Sequence, residues 1–147
     1  MANMTDYLEN KMLDWLFRGQ TFTPPATMYV GLFTADPTDV AGSGTEVTGG
    51  GYARVAVADS MADWAGSQSA GSTTASTGSS GTTSNNNPIT FPAPTGAWGS
   101  ITAFGIFDAA TGGNMLFYAA LTVPKTVNNG DAAPSFAAGA LTVQIDN

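Results

Sequence analysis

The stretch Trp98-Gly-Ser-Ile-Thr-Ala-Phe-Gly-Ile-Phe-Asp-Ala-Ala-Thr-Gly-Gly-Asn-Met-Leu-Phe-Tyr-Ala-Ala-Leu121 decides how this chain folds. Two apolar runs, 101–107 and 115–121, flank a polar connection carrying Gly112-Gly113, the pattern of a β-hairpin with a longer loop. Neither run has a polar side. Ile101, Ala103 and Phe107 alternate with Phe104 and Ile106, while Met115, Phe117 and Leu121 alternate with Leu116 and Tyr118. An antiparallel pair usually keeps one face wet, so both faces of this hairpin must be covered.

Working outward, 27–33 is a second β-rich run that is apolar on both sides, placed after the helix-stopping Pro24-Pro25, and it reads as an interior strand. A turn at 35–39 and a long Gly/Thr loop at 40–51, containing Glu46, lead to a strand expected at 52–57. There Arg54 should point to solvent or pair with a loop carboxylate. Residues 89–91 make a short strand and 93–96 a turn. Downstream, Pro124-Lys125-Thr126-Val127 reads as a short edge strand, and Asn128-Asn129-Gly130-Asp131 as an Asn-Gly turn. The close, 140–145, alternates with Leu141, Val143 and Ile145 inward. These elements predict a mainly β chain, an antiparallel β-sandwich of about 6–8 strands with one N-terminal α-helix, forming a single domain over 1–147.

That helix is expected at 4–18, within an N-terminal region 1–20. Thr5 stands as N-cap, Asp6 and Glu9 in the first turn, Arg18 in the last and Gly19 just beyond. Asp14 and Arg18 are spaced to pair. Met4, Leu8, Met12, Trp15 and Leu16 form one stripe, but Leu13 and Phe17 widen it beyond what a single sheet covers. The helix therefore either packs on the domain's own sheet or is shared with another subunit. Residues 66–87 contrast sharply, being Ser, Thr, Gly, Ala and Asn with one Gln and no charged, aromatic or large aliphatic residue. Such a segment buries little apolar surface and is expected to be a mobile excursion, or one held by neighbouring subunits.

Composition excludes much chemistry. Neither cysteine nor histidine occurs, so disulfides, thiolate nucleophiles, Cys/His zinc sites and Ser-His-Asp triads are impossible. Eleven carboxylates face only Lys11, Arg18, Arg54 and Lys125, a net charge of −7 that repels nucleic acid. No apolar run suits a membrane span, and no secretory signal opens the sequence, so synthesis in a cytoplasm without membrane insertion is expected. Asp59 with Asp63, or Asp36 and Asp39 with Glu46, have no specific glycosidase or calcium spacing. Gly49-Gly50-Gly51 lacks the rest of a phosphate loop. No catalytic residue, cofactor or metal is assigned. Trp64 is the candidate for a surface contact, for instance with a glycan.

Several runs together resemble a known family. They are Asp6-Tyr7-Leu8-Glu9-Asn10-Lys11, Thr23-Pro24-Pro25-Ala26-Thr27, Tyr29-Val30-Gly31-Leu32-Phe33-Thr34, Gly50-Gly51-Tyr52-Ala53-Arg54, Phe104-Gly105-Ile106-Phe107-Asp108-Ala109 and Pro124-Lys125-Thr126-Val127. In these the chain resembles small structural proteins of tailed bacteriophages, often labelled tail fibre proteins. The resemblance implies a virion component, made in the host cytoplasm, and not an enzyme. Weak charge and spare apolar surface favour a capsid-exterior decoration or cement protein, packed in closed symmetry against other copies of itself and other virion proteins. The alternatives are a tail, collar or fibre accessory protein touching the host surface, and a carbohydrate-binding module reaching a host surface glycan. The expected assembly interface joins the helix residues Leu8, Met12, Leu13, Trp15, Leu16 and Phe17 to the hairpin residues Phe104, Ile106, Phe107, Leu116 and Tyr118.

Overall fold

The computed structural model describes residues 2–145. In chain order the elements are β1 (Asn3–Met4), α1 (Asp6–Phe17), β2 (Thr27–Ala35), β3 (Thr45–Glu46), β4 (Val55–Ala58), β5 (Thr82–Ser84), β6 (Ile89–Thr90), β7 (Gly99–Phe107), β8 (Met115–Val127), β9 (Ser135–Phe136) and β10 (Thr142–Gln144). The fold is mainly β, antiparallel throughout, with one N-terminal helix. Six strands form one sheet in the order β1-β8-β7-β2-β3, and β4 lies along the first half of β2. The opening hairpin is β7–β8, and the interior strand expected upstream is β2, paired with β7 from Tyr29–Phe107 to Phe33–Ala103.

The first face of the sheet carries Val30, Leu32, Phe104, Ile106 and Ala119 into the main core. Two small ribbons, β5–β10 and β6–β9, bring Ile89, Val143 and Phe136 against it. The sandwich is thus asymmetric, with a broad sheet facing two two-stranded ribbons. Val30, Ile101, Ile106, Val127 and Leu141 are almost wholly removed from solvent, each favouring the fold by about 1.5–3 kcal/mol over leaving it exposed.

The second face explains the missing wet side of the hairpin. Phe33, Ala103, Phe107 and Met115 cluster there with Tyr29 and Tyr118. Gly31 and Gly105 are direct cross-strand neighbours beneath them. A Cβ on Gly105 would sit 2.9 Å from both Met115 Sδ and a Phe33 ring carbon, and one on Gly31 2.9 Å from Glu46 Oε1. The glycine pair makes the hollow that these side chains fill, a close approach that a strand glycine permits.

Several elements differ from the sequence expectation. The helix begins at Asp6, because Asn3 and Met4 pair with Tyr118 and Phe117 as an edge strand. Thr5 is the N-cap residue, yet its hydroxyl donates to Met115 O (2.6 Å) and Leu116 O (3.3 Å) and ties the helix to β8 instead of capping it. Residues 124–127 are the continuation of β8, paired with Gly99–Ile101 beyond a bulge. Tyr52 lies outside β4, in the turn after Gly49. Ile145 is exposed, since β10 ends at Gln144. The segment 66–87 folds on itself: Gln68 Nε2 donates to Ser72 and Thr74 hydroxyls, Thr77 N–H donates to Gln68 Oε1, and the segment's end forms β5. Asn85, 1% exposed, accepts from Leu141 N–H and donates to Ala137 O and Asn87 O. Amides and hydroxyls there make the contacts that apolar side chains do not.

Candidate functional site

The helix follows from its own residues. Asp6 and Glu9 favour the start, Asp14 and Arg18 pair at 3.0 Å, and Gly19, at φ +66°, turns the chain out of the helix. Only Leu8 is buried and Met12 is half-buried. Leu13, Trp15, Leu16 and Phe17 are 53%, 51%, 57% and 79% exposed. At about 100° per residue, Leu13, Leu16 and Phe17 share one outward arc, with Glu9 and Asp6 on the same arc one and two turns earlier. Four large apolar side chains on one helix end are a concentration of surface that solvent penalises, in contrast with isolated exposed residues.

The hairpin residues expected to join this surface lie elsewhere. Phe104 and Ile106 belong to the main core, Phe107 to the second-face cluster, and Leu116 is the extra residue of a bulge, packed in a hollow with Tyr7, Phe22 and Pro25. All four are no more than 7% exposed, and Tyr118 is half-buried. The lack of a wet face is met within the chain, by ribbons on one side and the glycine hollow on the other. The expected interface therefore divides, and its exposed part is the helix end.

A cleft of about 270 Å³ opens at the other end of α1. Its floor is Phe33, Phe107 and Met115, with the two phenylalanine rings stacked at 6.1 Å. Tyr7 forms a wall, and Asp39 and Ala41 stand on the rim. Arg54 closes one side. Its guanidinium lies 3.4 Å over the Phe107 ring, pairs with both oxygens of Glu46 (2.8 and 2.7 Å) and donates to Ala109 O and Gly112 O. The expected loop carboxylate is thus Glu46. Tyr52 donates its hydroxyl to Glu46 Oε1 at 2.9 Å and accepts the Leu32 N–H at 2.8 Å. Burial, foremost, pushes its phenol well above the ordinary tyrosine value. Glu46, Arg54 and Tyr52 are thus partnered with one another and with the backbone, and the arrangement is a lock between β2, β3 and the β7–β8 turn. Sequence reasoning missed this cleft, and the glycines inside two apolar strands were the available signal.

Trp64 is half-buried against the core, and its indole N–H is buried without an acceptor. It borders an open depression of about 550 Å³ with Asp59, Ser60, Met61 and Thr74. The carboxylates considered earlier do not converge. Asp63 accepts from Ser60 and Asn87, Asp36 accepts from Thr102, Glu46 is held by Arg54, and among the described residues no three potential ligands gather for a metal. No described helix is long and apolar enough to cross a membrane.

No curated protein matches the chain. A family model described as Gp80, podophage GP4 fiber I protein gp80, matches residues 3–144. That span holds the helix, the whole six-stranded sheet and both ribbons, and the chain belongs to this family of phage fibre structural proteins, as a component of the virion.

Proposed function

We propose that the chain is a fibre subunit that attaches to its neighbours in the particle through the apolar C-terminal end of α1. The observation that carries the reading is the exposure of Leu13, Leu16 and Phe17 side by side on one arc, with Trp15 also exposed at the same end of a helix that packs on β8. Burying one such side chain favours association by about 1.5–3 kcal/mol before the cost of ordering. The family description supports a place in a fibre. No catalytic constellation supports a reaction, and Glu46, Arg54 and Tyr52 beside the cleft are tied to each other.

A second reading, decoration of the capsid exterior, is favoured by shape. The chain is a short sandwich with a helix of 12 residues, well below what a coiled-coil stalk needs. Counting copies in purified particles separates the two. A fibre subunit is present on the order of a dozen copies or fewer and a shell protein in hundreds, because each follows the symmetry of its site. Hundreds of copies would overturn the fibre assignment.

A further inference from the structure

We infer that Asn129 is a site of spontaneous covalent modification, losing its amide through a cyclic imide formed with the Gly130 nitrogen, and that contact of Gly130 with Pro94 holds this reaction back in the folded chain. Asn129-Gly130 is the sole Asn-Gly pair in the sequence. A glycine in the second position leaves the attacking nitrogen unhindered, because it carries no side chain and has the widest backbone freedom. Both residues are exposed, and among the described residues the hydrogen bonds of this turn leave the Asn129 side chain free. Gly130, at φ +78°, occupies a turn that Asp131 N–H closes by donating to Asn128 O at 3.2 Å. A Cβ on it would meet nothing within 4 Å, so nothing crowds the reacting atoms.

In the reaction hydroxide takes the Gly130 amide proton, the nitrogen attacks Asn129 Cγ, and the bond from Cγ to the side-chain nitrogen breaks with release of ammonia. Water then opens the imide at either carbonyl and leaves aspartate or isoaspartate; nothing is oxidised or reduced. In the fold the proton is engaged, since Gly130 N–H donates to Pro94 O at 3.0 Å. The nitrogen attacks only when that contact opens, so the rate follows local opening. The product then undoes the contact that delayed it. Isoaspartate lengthens the backbone path into Gly130 and draws its N–H away from Pro94 O. Either product also sets a new carboxylate near Asp131, whose Oδ2 already accepts the Asn128 N–H and side-chain amide. Pro94 belongs to a junction of three loops, in which Thr95 N–H and Trp98 Nε1–H both donate to Gly50 O, at 2.9 and 2.8 Å. Losing the 94–130 contact removes one tie from this junction, at the end of the β7–β8 pair where Gly99 meets Val127.

The full-length chain is aged in mildly alkaline buffer, once folded and once unfolded in guanidinium, and its peptides are mapped by mass spectrometry with heavy-oxygen water marking each new carboxyl. The first label should appear in the peptide holding Asn129, about tenfold or more slowly in the folded chain than in the unfolded one, a ratio set by how rarely the 94–130 contact opens. Earlier labelling of another asparagine overturns the site, and equal rates in the two states overturn the restraint by Pro94. Asn129→Gln changes an exposed side chain and should remove the early acidic species seen on isoelectric focusing. Persistence of that species overturns the assignment as well. Hydrogen exchange at the Gly130 amide reads the consequence: the aged chain should lose protection there, while Asn129→Asp, whose backbone is unaltered, keeps it. Equal protection in aged and fresh chains would contradict the break in the 94–130 contact.

Discussion

Arg54 is one of four cations in the chain, and its side chain is only 7% exposed. It makes four hydrogen bonds, two to Glu46 and two to carbonyls of the β7–β8 turn. Removing one member of a buried pair leaves the other unpaired, so Arg54→Met should cost about 3 kcal/mol, read as a fall in the urea midpoint. Tyr52→Phe leaves the Leu32 N–H without its acceptor and should cost about 1–3 kcal/mol in the same assay. The phenol also gives the fold an alkaline limit. Its titration is raised in the folded state, so its contribution is complete below about pH 10, the unfolded value, and is lost as pH climbs toward the folded one. The midpoint of the unmodified chain should drop above about pH 10, and more steeply than that of Tyr52→Phe. Equal slopes would remove Tyr52 as the cause. None of this pairing was legible beforehand except as two options for Arg54, because a charge in a strand looks the same in sequence whether it faces water or a carboxylate from a distant loop.

At the scale of elements, the strands β2, β7 and β8 were legible because each is apolar at nearly every position, a pattern that only burial on both faces permits. What covers those faces was not legible. The residues covering the main face, Ile89, Phe136 and Val143, come from the two- and three-residue strands β6, β9 and β10, too short to carry any period. Gly31 and Gly105 are where element and packing meet. Gly105→Ala pushes a methyl group to 2.9 Å from Met115 and Phe33 and should destabilise by about 1–3 kcal/mol through overpacking, measured by thermal or urea unfolding. An unchanged midpoint would mean that the second face is less tightly filled than described. The helix gives the opposite expectation. Its wide apolar girth was visible in the sequence and stays exposed in the fold, so Phe17→Asp should leave stability within about 0.5 kcal/mol. Of the expected interface, Leu8 on the helix and Phe104, Ile106, Phe107 and Leu116 on the hairpin lie inside.

For the whole molecule, the question is which surfaces remain for assembly. Sheet extension is disfavoured. Beyond Phe117–Tyr118, which β1 covers, the outer side of β8 has no strand partner among the described residues, and Pro124 and Lys125 stand on that edge, two residue types that discourage another strand from adding. The helix end then presents a run of apolar surface left to bury, on a chain that belongs to a fibre protein family. The fraction of Phe17→Asp chain retained on purified particles, relative to the unmodified chain, tests this most directly. Loss of binding by a variant that melts normally is the predicted result, and retention at full occupancy would contradict it.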